Sequence, residues 1–417
     1  MQVINVFTWV FLAVLAASIV TRLWLSQRQV AHVRAHRDTV PSTFADSIPL
    51  DAHQKAADYT VAKARVGMAD MLLGVAVLLG FTLGGGIDWL SAQWARVFEH
   101  GGIAHGTALI ASLVVVMSLI ELPMTLYRTF VVEQRFGFNR MTWKLFFTDL
   151  AKHTLVEALI GLPLLVLVLW LMAQMGSAWW LWVWGVWVGF SLLFLLAYPR
   201  WIMPLFNKFS PVTDTQLVER IERLLARCGF RSSGLSIMDG SKRSAHGNAF
   251  FVGLGSTKRI VLFDTLVERL QPQEVEAVLA HELGHFKLKH VTKMLLINAA
   301  FSLALLWILG QLIQRPWFFS GLGVSSPSTA AALILFVYVM PVFLFFVSPL
   351  LSMLSRRHEF EADAYAARYA QAGDLVAALV KLYKDNAATL TPDPLHSAFY
   401  DSHPPASTRI ARLRAAA

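Results

Sequence analysis

His281-Glu282-Leu283-Gly284-His285 stands just ahead of an apolar run at 292 to 313, and the two together decide how this chain is built. Two imidazoles four residues apart lie on one face of a helix, close enough to share a metal ion, with the Glu282 carboxylate beside the first. Gln271-Pro272-Gln273 suits a helix start, and Glu274, Val275, Ala277, Val278 and Leu279 carry helical character into the motif with no break before Gly284. The motif therefore falls mid-helix, as shared coordination requires. The run that follows is long enough to cross a bilayer, so a hydrolytic metal site is expected at a membrane surface.

Composition agrees with that placement. Of 417 residues, 56% are hydrophobic and only 15% charged, too apolar a balance for a soluble protein of this size. Seven runs reach the ~20 residues of a helical span, at about 3 to 24, 68 to 90, 104 to 127, 154 to 173, 177 to 198, 292 to 313 and 329 to 351. The first has no basic leader and runs into Arg22-Leu23-Trp24 without a small-residue cleavage site, so it reads as a retained span rather than a secretory signal. Cys228 is the only cysteine, which excludes a disulfide framework and leaves His and carboxylates as metal ligands.

The net charge of +9 does not point to nucleic acid, because the basic residues collect in alternate loops. Arg28, Arg34, Arg37, Lys55, Lys63 and Arg65 follow the first run, Arg128, Arg135, Arg140, Lys144 and Lys152 the third, and Arg200 and Lys208 the fifth. The intervening loops offer little beyond Arg96 and Arg315. This asymmetry predicts an N-terminus outside, with the C-terminus and the metal motif cytoplasmic.

The chain divides into a five-span region at 1–204, a segment of soluble character at 205–290, two further spans at 291–354, and a C-terminal helical part at 355–417. In the soluble segment, Asp214 to Arg227 has helical period with Leu217, Ile221, Leu224 and Leu225 on one side, and Gly229 ends it. Leu235 to Met238, Ala249 to Gly253 and Arg259 to Phe263 read as short strands, the last two joined by Gly255-Ser256-Thr257-Lys258. Beyond the last span, Glu359 to Tyr369 and Gly373 to Lys384 read as helices and Pro392 to Pro405 as an extended tail.

A catalytic zinc ordinarily takes three protein ligands and leaves one position for water. His290 is near in sequence, but its spacing from His285 points it off the shared face, and it reads as a boundary residue at the membrane surface. Ser355-Arg356-Arg357-His358-Glu359-Phe360-Glu361-Ala362-Asp363 offers more. Glu359 and Asp363 share a face at four-residue spacing while Glu361 points away, so one of the pair can bind metal and the other hold a ligand histidine by its second ring nitrogen, a role that suits Asp363. Alone, these acids would read as a solvated surface helix.

The two motifs, in this order and separated by two spans, resemble the type I CAAX prenyl endopeptidases and their bacterial relatives. Phe130-Val131-Val132-Glu133-Gln134-Arg135-Phe136-Gly137-Phe138-Asn139-Arg140 with Thr142 resembles that family's cytoplasmic loop signature. Pro204 to Phe209, His246-Gly247-Asn248-Ala249-Phe250, and Asp401-Ser402-His403-Pro404-Pro405 with Arg409 extend the likeness over nearly the whole chain. The resemblance implies seven membrane helices enclosing a chamber, with a small α+β zinc protease domain on the cytoplasmic side. It implies one Zn2+ on His281, His285 and Glu359, an edge strand at Asn248 and Ala249 that pairs with peptide, and His403 and Arg409 approaching the site. We expect a bacterial inner-membrane member that needs no oligomer.

The chemistry implied is peptide hydrolysis, with Glu282 taking a proton from a zinc-activated water and with His403 or Arg409 supplying an oxyanion donor. The substrates expected are peptides or proteins, lipidated ones among them, met at the bilayer. Two other readings compete: a broad quality-control metalloprotease, and a zinc-binding receptor or transporter without catalysis. Glu282 beside intact ligands argues against the last, since a structural zinc is more often closed by a fourth protein ligand.

Overall fold

The computed structural model describes residues 5–252 and 257–416, and the chain is mainly helical. Among the described residues, seven helices are long and apolar enough to cross a membrane: Val6–Ala35, Leu50–Phe81, Ile103–Glu133, Trp143–Gln174, Gly176–Phe206, His290–Leu312 and Thr329–Tyr369. Five of them run 30 to 32 residues, about 45–48 Å at 1.5 Å per residue, well beyond a hydrocarbon core of ~30 Å. The apolar runs thus mark where a helix meets lipid, not where it ends. The basic stretch after the first run is accordingly not all loop, since Lys55, Lys63 and Arg65 ride on the helical extension of the second span.

Buried residues lie at the two ends of this bundle, and the middle is open. On the second span nothing is buried between Val61 and Leu78, on the fourth nothing between Asp149 and Leu169, and on the sixth nothing between His290 and Leu309. One apolar cluster closes one end, built from Phe11, Leu78, Leu109, Leu169, Leu309 and Leu335 among others. Because a solid seven-helix bundle would bury its inward faces along their length, the spans instead wall a chamber. Glu121 lines a cavity of about 190 Å³ in that wall, next to the Arg128–Asp70 ion pair at 2.8 Å.

The opposite end is closed by the soluble unit. Four strands, β1 (Phe209–Pro211), β2 (Arg231–Met238), β3 (Ala249–Val252) and β4 (Thr257–Phe263), lie in the order β1-β2-β4-β3, with β2 parallel to β4 and the other two pairings antiparallel. Ile260 and Leu262 of β4 pack on the motif helix Pro272–Lys287 through Val275, Leu279 and Leu283, and Leu217, Ile221 and Leu224 of the helix Thr215–Cys228 join the same core. Asp214 caps that helix and Gly229, at φ 75°, ends it. The short β1 carries too few residues for a periodic pattern and escapes detection from sequence. The expected strand end Gly253 and the turn residues Gly255 and Ser256 lie outside the described residues, whereas Thr257 and Lys258, expected in the turn, belong to β4.

The C-terminal part differs from expectation in one respect. Pro392 to Pro405 is not an extended tail: Asp393 caps a short helix, Pro394–Tyr400, by accepting from the His396 N–H, and buries its carboxylate against Arg28 at 2.9 Å. Proline at the first helical turn starts that helix rather than breaking it.

Candidate metal centre

The motif helix crosses the helix Ser348–Tyr369 at a glycine. A Cβ placed on Gly284 would meet the Ala362 Cα at 3.1 Å and its carbonyl oxygen at 3.2 Å, tighter than nearly all ordinary Cβ contacts, so any larger residue would push the two helices apart by a few tenths of an ångström. That contact sets His281 and His285 opposite Glu359 and Asp363, all four on facing surfaces.

Three side chains converge there, each histidine through its Nε2 and Glu359 through both carboxylate oxygens. His281 Nε2 and His285 Nε2 lie 3.2 Å apart, His281 Nε2 lies 3.4 Å from Glu359 Oε2, and His285 Nε2 lies 3.3 Å from Glu359 Oε1. Zinc bonds of roughly 2.0–2.2 Å at tetrahedral angles set ligand atoms about 3.3–3.5 Å apart, which is the spacing found. The residues fit the ion. Glu359 is only 3% exposed, and its Oε2 accepts no well-directed hydrogen bond although His403 Nδ1 lies 2.7 Å away, so a buried carboxylate oxygen is left with its lone pair unsatisfied. Such an atom calls for a cation.

Behind the ligand atoms, each histidine turns its Nδ1 to a different partner. His281 Nδ1 lies 2.9 Å from Asp363 Oδ1, and Asp363 accepts two hydrogen bonds from Arg409, at 2.8 Å and 2.6 Å. Burial opposes a charge on His281, but its hydrogen bonds to Asp363 and Glu359 outweigh that and raise the imidazole to about 9. Asp363 is therefore where a ligand-orienting carboxylate belongs. Arg409 is 6% exposed, and its paired contact with Asp363 turns its guanidinium toward the Nδ1 side of His281. Its Nη1 still lies 3.6 Å from Glu359 Oε2.

His285 Nδ1 meets His290 Nδ1 at 3.1 Å, so His290 is not merely a boundary residue at the membrane surface. Spacing along an unbroken helix points His290 away, but Lys289 adopts φ 58° and breaks the helix, so that the sixth span restarts with His290 folded back onto His285. A lysine in the left-handed region carries no sequence signal of its own. Glu361 does point away from the ligand face, and there it meets His290 Nε2 at 3.0 Å and Arg357 at 3.0 Å.

Glu282 differs from its neighbours in having no hydrogen bond or ion pair among the described residues, and it is half-buried beside the ligand pair. A cleft of about 490 Å³ opens next to the centre, lined by Lys63, Tyr383, His396, Tyr400, Asp401 and His403. His403, with 62% of its side chain exposed, belongs to both the cleft and the centre.

The strand β3 forms one edge of the sheet, with no described strand on its outer side. The Phe263 N–H donates to the Asn248 carbonyl at 3.0 Å, so Asn248 faces into the sheet and the Ala249 backbone groups face out. The Ala249 N–H donates to the Asn248 Oδ1 at 2.8 Å. The third span runs through Glu133, and the segment at 136–142 after it braces the stretch leading into this strand: the Arg140 N–H donates to the Arg243 carbonyl, the Ala245 N–H donates to the Phe138 carbonyl, and the Phe138 ring stacks on His246 at 4.4 Å. Arg243 donates to Asp149 at 2.7 Å and 3.1 Å, fixing the same segment to the fourth span.

Residues 29–208 match the family described as CAAX prenyl protease N-terminal, five membrane helices, and residues 211–417 match peptidase family M48. A CAAX prenyl protease 1 homolog from Arabidopsis thaliana is 33% identical, over 94% of this chain and 93% of its own length. The chain belongs to the CAAX prenyl protease 1 family. CAAX prenyl protease 1 of Saccharomyces cerevisiae is 30% identical over 94% of this chain and 91% of its own, and the crystal structure of S. mikatae Ste24p matches with a TM-score of 0.91 at 28% identity, covering 98% of this chain and 99% of that one. As a CAAX prenyl protease relative, the chain is a multi-pass membrane metalloendopeptidase with seven helices around a chamber. These relatives are a plant and two yeast proteins, and the expected bacterial owner finds no support in them.

Proposed function

We propose that this protein is a zinc endopeptidase whose ion is held by His281, His285 and Glu359, and the observation that carries this is the convergence of the two Nε2 atoms, 3.2 Å apart, on the Glu359 carboxylate, whose two oxygens lie 3.4 Å and 3.3 Å from them. When bound, zinc brings the pKa of a water down to about 7 and polarises the scissile carbonyl. Glu282, free of other partners, takes the proton from the attacking water and returns it to the leaving amine. His403 is exposed toward the cleft and donates to the carbonyl oxygen as negative charge gathers on it. Arg409, committed to Asp363, steadies that carboxylate and through it His281 instead of touching substrate.

The peptide lies extended along β3, hydrogen-bonded to the outward backbone groups of Ala249 beside the Asn248 side chain. All these residues come from one chain, so no oligomer is required. The basic residues between alternate apolar runs favour an orientation with the N-terminus outside and the site on the cytoplasmic side. The divisions at 204, 290 and 354 then separate membrane and soluble units whose packing meets at the centre. The relatives' name directs the substrate reading toward prenylated CAAX proteins, whose lipid the chamber between the spans can receive while the peptide occupies the cleft.

A second reading, a broad membrane quality-control protease, is favoured by the outward backbone groups at the β3 edge, since pairing through backbone alone gives affinity with little sequence preference. Cleavage in liposomes of a farnesylated CAAX peptide and of the same peptide without lipid separates the two. A higher kcat/KM for the farnesylated peptide supports prenyl recognition, and equal values support the broad protease. Cleavage of neither peptide by zinc-loaded protein overturns both.

A further inference from the structure

The two ligand histidines are held from behind by unlike devices. His281 leans directly on a carboxylate, Asp363, itself locked by Arg409. His285 has no carboxylate within reach of its Nδ1 and meets a second imidazole instead. His290 Nδ1 lies 3.1 Å from His285 Nδ1, and His290 Nε2 lies 3.0 Å from Glu361 Oε2.

We propose that His290 is a positioning residue for the metal centre, which with Glu361 fixes the tautomer and ring plane of His285. The hydrogen bonds allow one arrangement that satisfies every atom once His285 Nε2 is given to the ion. His285 Nδ1–H donates to the lone pair on His290 Nδ1, and His290 Nε2–H donates to the Glu361 carboxylate. The other His290 tautomer would set two N–H groups against each other at 3.1 Å and leave its Nε2 lone pair facing an anion. His358 stacks on His290 with ring centres 4.1 Å apart and planes 10° apart, and Arg357 holds Glu361 at 3.0 Å, so neither end of the relay is free to turn. His290 itself is 2% exposed, and the left-handed Lys289 exists at the junction that delivers it.

This rests on His285 being a ligand, and the test separates the two ideas. Wild-type protein, His290→Phe, His290→Asn and Glu361→Gln are stripped of metal and titrated with zinc against a competing chelator, and the Co2+-substituted forms are examined by visible absorption. Phenylalanine keeps the stack on His358 but removes the acceptor, and asparagine restores an acceptor. Removing such an outer partner typically weakens metal binding about 10- to 100-fold. We expect that loss in His290→Phe, with a shifted Co2+ spectrum, a smaller loss in Glu361→Gln, and recovery of most of the affinity in His290→Asn. Thermal melting of the metal-free variants reports folding, and Glu361, partly solvated, supplies a variant that keeps the core intact. Wild-type affinity and spectrum in both His290→Phe and Glu361→Gln would overturn the proposal while leaving His285 as a ligand. Failure of the wild-type protein to bind zinc would overturn the ligand assignment itself.

Discussion

Gly284 faces Ala362 across a helix crossing so close that an added Cβ would lie 3.1 Å from the Ala362 Cα. The atoms it would meet are mainly backbone and cannot swing aside. In an open helix Gly→Ala gains up to about 1 kcal/mol, but overpacking a tight contact costs roughly 1–3 kcal/mol, so Gly284→Ala should lose stability on balance. Because the crossing spaces the ligand atoms, the same substitution should also weaken zinc binding. Thermal melting with and without metal checks both, and a net stabilisation with unchanged zinc affinity would contradict the reading.

The Asp363–Arg409 pair is buried on both sides, with Asp363 4% and Arg409 6% exposed. Removing one member of such a pair strands a charge and costs about 3–5 kcal/mol. Arg409→Met and Asp363→Asn should each approach that loss in chemical denaturation, and the double variant should lose clearly less than their sum. Additive losses would show that the two residues act separately.

His403 lines the cleft, and its Nδ1 lies 2.7 Å from Glu359 Oε2. Loss of one donor to a developing oxyanion typically lowers kcat about 100- to 1000-fold. His403→Phe should therefore lower kcat with little change in KM or zinc content. A rise in KM alone would make His403 a binding residue instead.

Protonation of His281 leaves a pH signature in the metal-free protein. Its imidazole is raised to about 9 from an unfolded value of 6.5, so it contributes stability that is fully present below pH 6.5 and lost as pH rises through about 9. The contribution is on the order of 3 kcal/mol. Melting temperature of metal-free protein should fall across that window, and zinc, which takes the proton's place on Nε2, should abolish the step. A flat profile without metal would argue that His281 is neutral there.

Much of this could be read from residue order. The spans follow from hydropathy, the motif helix from its Gln-Pro start, and the pairing of Glu359 with Asp363 from four-residue spacing. What could not be read are features set by contact and not by period. The length of the helices beyond lipid, the capped helix inside a proline-rich tail, and β1 depend on neighbours distant in sequence. His290 is the sharpest case, because helical periodicity assigns it to the wrong side, and one left-handed lysine reverses that. The role of Glu361, placed off the ligand face by its spacing, becomes visible only once His290 is there to meet it.

Zinc content and peptide hydrolysis measured together on Glu282→Gln protein test the central claim most directly. Glu282 makes no hydrogen bond or ion pair with the three ligand side chains, so variant and wild type should each hold about one zinc per chain, while the variant loses roughly 100- to 10,000-fold in kcat, the usual contribution of a positioned base. Full hydrolysis by zinc-loaded Glu282→Gln, or a wild-type enzyme that hydrolyses peptide without zinc, would contradict the account.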